Sequence, residues 1–278
     1  MSSASAEPAR SLEPAEPAVR AHTGSVRHRD RLRAAGTGVA GLPGRLPERA
    51  RPPVAWSVHL LTASGVVVGL LALLATVAGR PREALLWLVA ALVIDGLDGP
   101  LARTFGTVTH APKVDGMILD LVVDYIPYVV VPALFMVQFD MLPAQVEVLG
   151  AAIVMFTSLY CFARADMKAR DKYFVGFPAT WNLVVFVLFL LGTPGWFNAL
   201  VVVVLGALTF TDVKFVHPVR VREMRAVTLP VTVVWLGAMV YLIVVHPAAP
   251  AWARAIVVAG VVYQGFLTVR RTVGDLRG

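Results

Sequence analysis

Four aspartates constrain this chain most, because they lie within hydrophobic stretches long enough to cross a lipid bilayer: Asp95, Asp98, Asp120 and Asp124. An ionised carboxylate at membrane depth costs several kcal/mol or more unless something compensates its charge. Four carboxylates close together would also repel one another. Bound divalent cations would supply the missing positive charge, since hard cations prefer carboxylate oxygen ligands. The aspartates therefore predict a metal-binding functional site inside a membrane protein.

The composition is that of a helical membrane protein. Of the 278 residues, 57% are hydrophobic and 15% are charged, whereas about 25% of the residues in soluble domains are charged. The apolar runs are continuous rather than alternating, which favours transmembrane helices over an outer-membrane barrel. The net charge of +7 comes from Lys and Arg residues scattered over short loops and the N-terminal region, so no nucleic-acid partner is expected. We predict an all-α integral membrane protein.

The distribution of apolar residues divides the chain into two regions. Residues 1–53 are rich in Ala, Pro, Arg and Gly and lack the hydrophobic core of a secretory signal, which predicts a disordered basic N-terminal tail. Residues 54–272 form the predicted transmembrane domain, with about eight helices of about 20 residues each. The candidate spans are residues 54–79, 82–102, 117–139, 143–163, 174–192, 196–214, 226–246 and 250–270.

The placement of Lys and Arg predicts the orientation in the membrane. With the N-terminus in the cytoplasm, thirteen Lys and Arg residues of the loops and C-terminal tail fall on the cytoplasmic side, and only Arg80, Arg82 and Arg254 fall on the other. Nine further arginines lie in the N-terminal tail. The end of the second span and the start of the third, with all four aspartates, are therefore predicted to face the cytoplasm.

The spacing of the aspartates brings each pair to one face of its helix. Asp95 and Asp98 are separated by about 60° around a helix axis, and Asp120 and Asp124 by about 40°. A short loop joins the two spans as antiparallel neighbours, so the two faces can converge. Such a group of carboxylates suits one or two octahedral ions, Mg²⁺ or Mn²⁺. Two ions bridged by carboxylates are the usual arrangement for in-line displacement at phosphorus.

Three residues that follow Asp98 fit phosphate chemistry. Gly99 lets a ligand approach the backbone, Ala102 keeps the helix face open, and Arg103 carries the planar fork that pairs with phosphate oxygens. Ion pairs inside the bundle, or an ion or proton pathway through a transporter, would also place acids in a membrane. The pathway does not explain why Gly99, Ala102 and Arg103 occur in this order.

The order Asp-x2-Asp-Gly-x2-Ala-Arg, followed by Gly-x3-Asp-x3-Asp, resembles the signature of the CDP-alcohol phosphotransferases. All eight defined residues of the signature are present between Asp95 and Asp124. The twelve residues between Arg103 and Gly116 form a longer spacer than in most members. This spacer resembles the bacterial phosphatidylcholine synthase branch, to which residues 59–65, 111–125 and 166–182 are also similar. The resemblance implies a helical bundle of the CDP-alcohol phosphotransferase type, with residues 54–272 as the catalytic domain.

The resemblance also implies roles for the matched residues. Asp95, Asp98 and Asp120 would bind two metal ions, Mn²⁺ or Mg²⁺. Asp124 would complete the metal-binding cluster and act as the general base. His59 stands where most members carry Asn, and it is either a contact to the CDP-lipid or a hydrogen-bonded core histidine. The residues implied in binding the CDP-lipid are His59, Thr62, Gly99, Ala102 and Arg103.

The resemblance implies that the substrates are CDP-diacylglycerol and choline and that CMP is released. It also implies that the protein lies in the inner (plasma) membrane of a bacterium. The trimethylammonium group of choline has no N–H, so aromatic faces and carboxylates are needed to recognise it. The aromatic candidates are Tyr125, Tyr128 and Trp181. Serine, inositol or glycerol phosphate are alternative acceptors. The resemblance further implies a homodimer surrounded by membrane lipid.

Overall fold

The computed structural model describes residues 50–164, 174–215 and 225–277. Residues 1–49, most of the predicted tail, lie outside the described part, and the first helix begins at Arg51. The elements are α1 (Arg51–Val77), α2 (Pro81–Phe105), α3 (Thr107–His110), α4 (Gly116–Tyr125), a π-helical turn (Ile126–Val130), α5 (Val131–Gln138), α6 (Glu147–Ala163), β1 (Phe174–Val175), α7 (Trp181–Leu191), α8 (Gly195–Leu208), β2 (Lys214–Phe215), α9 (Arg225–Val245) and α10 (Ala251–Arg277).

The prediction of a helical membrane protein is confirmed, but a count of eight spans is not. Among the described residues, five helical stretches have the length and composition to cross a bilayer: Arg51–Val77, Pro81–Phe105, Gly116–Gln138, Ala226–Val245 and Ala251–Gly274. Helices α6, α7 and α8 are apolar but have only 17, 11 and 14 residues. At about 1.5 Å per residue they are shorter than the hydrocarbon core, which is about 30 Å thick.

The predicted spans 174–192 and 196–214 are too long, because strand and loop replace helix where the two spans approach one another in space. Strand β1 pairs with β2 in antiparallel register, Phe174 opposite Phe215 and Val175 opposite Lys214. Gly176 has φ +78°, and a Cβ there would lie 2.5 Å from the carbonyl oxygen of Thr209. This backbone conformation excludes an α-helix that runs through Gly176.

Helices α1 and α2 form the most extensive helix pair of the described residues. The predicted break between them is confirmed at Gly79, which has φ +69°, followed by Pro81 at the start of α2. On the other side, α1 packs against α4 and the π-helical turn. A Cβ on Gly65 would lie 2.7 Å from Val123 Cγ1, and one on Gly69 would lie 2.8 Å from Ile126 Cγ2. Small residues four apart thus let α1 approach α4 closely.

The core of the bundle lies around α5 and α7, where the largest fully buried side chains include Phe135, Trp181 and Phe186. Many large apolar side chains face outward instead, among them Leu60, Val148 and Phe156, each more than 70% exposed. Hydrocarbon accepts such side chains at no cost. The outer surface therefore fits lipid, while α1, α2 and α4 converge on the aspartates.

Candidate active site

The predicted metal ligands lie on two neighbouring helices, with Asp95 and Asp98 on α2 and Asp120 on α4. The backbone between the helices is sharply turned. Helix α2 ends at Gly106, which has φ +63°. Helix α4 begins after Asp115. The side chain of Asp115 accepts hydrogen bonds from the backbone N–H groups of Met117 and Ile118, at 3.0 and 3.2 Å. This cap fixes the start of α4 and hence the position of Asp120 in its second turn.

Three of the four predicted aspartates, Asp95, Asp98 and Asp120, converge. One carboxylate oxygen from each residue lies within 4.8 Å of the corresponding oxygen of the other two. Two oxygens bound to one ion at about 2.1 Å can be at most about 4.2 Å apart, so small side-chain rotations would let the three share an ion. Three hard oxygen donors at this separation fit Mg²⁺ or Mn²⁺.

Asp98 is the most enclosed of the three and is 7% exposed. Thr62, the backbone N–H of Gly99 and the positive charge of Arg103 are all close to its carboxylate. The Thr62 hydroxyl donates to the carbonyl oxygen of Val58 at 3.3 Å, and Thr62 lines the cleft beside Asp98. Helix α1 therefore contributes to the site through Thr62.

Asp124 faces the same region one turn after Asp120. It lines a small cleft together with Asp95, Asp98 and Thr62. The remaining lining residues are Gly65, Ala91, Ile94, Val123 and Pro127. Sequence reasoning did not assign these residues to the site, although the Gly65-Val-Val-Val-Gly69 pattern is a recognisable signal for close helix packing.

Arg103 and Gly99 lie together at the end of α2. A Cβ on Gly99 would be 3.4 Å from the Nη1 atom of Arg103, so the guanidinium group folds back over the glycine. Arg103 is exposed and Ala102 is partly buried. A planar cation next to an open backbone, beside the carboxylates, is suited to phosphate oxygens.

His59 lies on α1 one turn before Thr62 and is 6% exposed. Its ring packs on the start of α4, where a Cβ on Gly116 would lie 3.1 Å from His59 Cε1. Its buried Nε2 atom has no hydrogen-bond partner among the described residues. A buried ring nitrogen is normally paired, so the alternative of a hydrogen-bonded core histidine is not supported within this part of the chain.

The three aromatic residues predicted to contact choline have different surroundings. Tyr128 donates a hydrogen bond from its hydroxyl to Asp95 Oδ2. The Tyr125 hydroxyl donates to the carbonyl oxygen of Met155 on α6, at 3.0 Å. Trp181 is fully buried, and its indole N–H donates to Ser158 Oγ at 3.0 Å. None of the three lines the cleft, and Tyr128 and Trp181 both belong to the buried core.

Comparison with known proteins agrees with this geometry. The family profile described as CDP-alcohol phosphatidyltransferase matches residues 57–213. The chain is 48% identical over 194 residues to the phosphatidylcholine synthase of Pseudomonas aeruginosa, covering 70% of this chain and 82% of that protein. It is 37% identical over 241 residues to the phosphatidylcholine synthase of Mesorhizobium japonicum, covering 84% of this chain and 89% of that protein. The protein of that name from Bradyrhizobium diazoefficiens is 41% identical over 196 residues, covering 70% and 73%. This chain belongs to the CDP-alcohol phosphatidyltransferase family of enzymes.

Proposed function

We propose that the chain is a phosphatidylcholine synthase, which transfers the phosphatidyl group of CDP-diacylglycerol to choline and releases CMP. The observation that carries the proposal is the group of three carboxylates within 4.8 Å of one another on two apolar helices. The phosphatidylcholine synthases that resemble the chain over most of its length support choline as the acceptor. Membership of a phosphatidyltransferase family favours an enzyme over an ion or proton pathway.

In this proposal Asp95, Asp98 and Asp120 hold divalent metal, Mn²⁺ or Mg²⁺, with Asp124 at the edge of the cluster. When bound, two such ions neutralise the diphosphate and stabilise the charge that develops on CMP. Asp124 is the general base. It lines the cleft beside Asp95 and Asp98, so an alcohol bound in the cleft would lie close to its carboxylate.

The CDP-lipid is bound by the residues that surround Asp98. The Arg103 guanidinium pairs with phosphate oxygens, and Gly99 and Ala102 leave space beside it. Thr62 lines the cleft beside Asp98 and reaches the same ligand. The unpartnered Nε2 atom of His59 supports a role in which this nitrogen hydrogen-bonds the CDP group.

The reaction is a displacement at the β-phosphorus of CDP-diacylglycerol. The choline hydroxyl oxygen forms the new P–O bond while its proton passes to Asp124, and the bond to CMP breaks with the electron pair leaving on CMP. The cleft is lined by carboxylates and Thr62. In this proposal it receives the reacting phosphates and a small alcohol, while the acyl chains remain in lipid. The cleft carboxylates also attract the cationic head of choline.

The proposed setting is the bacterial inner membrane, with the N-terminus and the cleft on the cytoplasmic side. The excess of Lys and Arg on that side supports this orientation. A water-soluble acceptor and a membrane-bound donor can then meet at one cleft. A homodimer is part of the proposal on the basis of family resemblance.

A panel of acceptors tests the proposed function. Purified protein with Mn²⁺ and CDP-diacylglycerol is offered labelled choline, serine, inositol or glycerol phosphate in parallel. We expect labelled phosphatidylcholine and an equal amount of CMP from choline, with no lipid product from the other three. Incorporation of another acceptor in place of choline would contradict the substrate and leave the family unaffected. Chelation of the metal is expected to abolish the choline reaction.

Replacement of His59 tests its proposed contact with the CDP-lipid. We expect His59→Leu to raise the KM for CDP-diacylglycerol about tenfold, the equivalent of one lost hydrogen bond of about 1.4 kcal/mol. His59→Asn, which restores a polar group, should recover most of this loss. An unchanged KM in His59→Leu, with a lowered Tm, would mean that His59 is a core residue instead.

A further inference from the structure

Tyr128 contacts the acid cluster through its hydroxyl group rather than through its ring. The side chain is 7% exposed, and the hydroxyl donates to Asp95 Oδ2 at 2.5 Å. This is the distance expected of an O–H donor bound to an ionised carboxylate. The negative charges of Asp120 and Asp124 also act on the same hydroxyl. The phenol therefore lies against the proposed metal ligands from the interior of the bundle.

The backbone that carries Tyr128 departs from an α-helix at this point. Tyr128 is the middle residue of the π-helical turn, and the Val131 N–H bonds to the carbonyl oxygen of Ile126, five residues earlier. Pro127 directly precedes Tyr128 and Pro132 follows it by four residues. Neither has an N–H, so two α-helical hydrogen bonds of this span cannot form. Single π-helical turns within α-helices are frequent at functional sites. The turn sets the direction in which the phenol reaches Asp95.

The ring itself has little freedom to contact a substrate. It belongs to the buried core of the bundle and is not among the residues that line the cleft. A cation that stacked on its face would have to displace core side chains, which are closely packed. The hydroxyl–carboxylate contact is therefore the feature of Tyr128 that bears on the site.

We propose that Tyr128 is a positioning residue, which orients Asp95 for metal binding. This inference rests on the proposed metal-dependent function. A carboxylate that accepts one hydrogen bond keeps its remaining lone pairs for an ion, while the bond restricts its rotation. Ligating carboxylates are commonly held by such hydrogen bonds, and loss of the outer partner costs about 10–100-fold in metal affinity or activity.

The test is Tyr128→Phe, which removes one oxygen atom and preserves the ring. Binding of Mn²⁺ to the purified protein without substrate is measured from the electron paramagnetic resonance signal of free Mn²⁺. We expect the Kd to rise about tenfold. Activity should recover at high Mn²⁺, and the KM for choline at saturating Mn²⁺ should match that of the wild type. Tyr263→Phe is the matched control, because the Tyr263 hydroxyl pairs with Thr228 Oγ1 at 2.9 Å between two other helices. This variant should change neither the Kd for Mn²⁺ nor the KM for choline.

The outcomes separate this inference from the proposed function. Wild-type protein that binds no Mn²⁺ would contradict the metal site itself. If the wild type binds Mn²⁺ and Tyr128→Phe binds it equally well, only the role of Tyr128 is refuted. A raised KM for choline with unchanged Mn²⁺ binding would make Tyr128 a choline contact and would also refute it. Tyr128→Met, which likewise lacks a hydroxyl, provides the same measurement if the phenylalanine variant does not purify as a folded protein.

Discussion

Replacement of Asp124 by asparagine is expected to lower kcat by about 10²–10⁴-fold, the usual contribution of a general base. The amide cannot take the proton of the choline hydroxyl, although it has nearly the same size and shape. Because Asp124 lines the cleft but is not one of the three converging carboxylates, Mn²⁺ binding and the KM for CDP-diacylglycerol should change only slightly.

The rate of CMP release at saturating substrate and metal, together with the Mn²⁺ Kd, tests this expectation. Asp115→Asn is the matched control, because Asp115 caps α4 from an exposed position and asparagine caps helices equally well. This control should remain close to wild-type activity. A kcat for Asp124→Asn within a few fold of the wild type would contradict the assignment of the base. A large loss of Mn²⁺ binding would make Asp124 mainly a metal ligand.

Replacement of Asp98 by asparagine is expected to lower activity by about 10³-fold, as a loss of several kcal/mol of charge stabilisation implies. Asp98 is the most buried carboxylate of the cluster, and Asp95 repels it. Without metal, removal of this charge relieves the repulsion, so the Tm of the metal-free variant should rise above that of the metal-free wild type. The stability and activity effects thus have opposite signs.

Thermal unfolding with and without Mn²⁺, measured beside the transfer rate, checks both effects. Wild-type protein should gain stability when Mn²⁺ is added, and Asp98→Asn should gain much less. The same Asp115→Asn control should respond to Mn²⁺ as the wild type does. If Asp98→Asn is destabilised without metal and still responds fully to Mn²⁺, Asp98 supports the fold and does not bind the ion.

The site was more predictable than the fold, because its residues are recognised from short spacings along the chain. The offsets within 95–98 and 120–124 place each acid pair on one helix face, and one short connection joins the two helices. The meeting of Asp95, Asp98 and Asp120 follows from these facts. Hydropathy alone could not show that residues 174–180 form a strand and loop, since Phe174, Val175 and Phe177 are as apolar as a helical span.

The surroundings of individual aromatic and polar side chains were the least predictable part. Nothing local distinguishes Trp181, which is buried in the core, from Tyr128, which reaches Asp95 through a π-helical turn. Both depend on contacts between residues far apart in sequence, 23 and 33 positions away. The lack of a hydrogen-bond partner for His59 Nε2 among the described residues likewise results from how the helices pack. It could not be predicted from the residue type.

The most direct test of the central claim is to locate the metal. Crystals grown with Mn²⁺ and CDP, measured at the manganese absorption edge, would reveal the ion by its anomalous scattering. We expect a peak between the carboxylates of Asp95, Asp98 and Asp120, with the diphosphate of CDP bound beside it. Anomalous density that is absent from these carboxylates, or a diphosphate bound elsewhere on the protein, would contradict this claim.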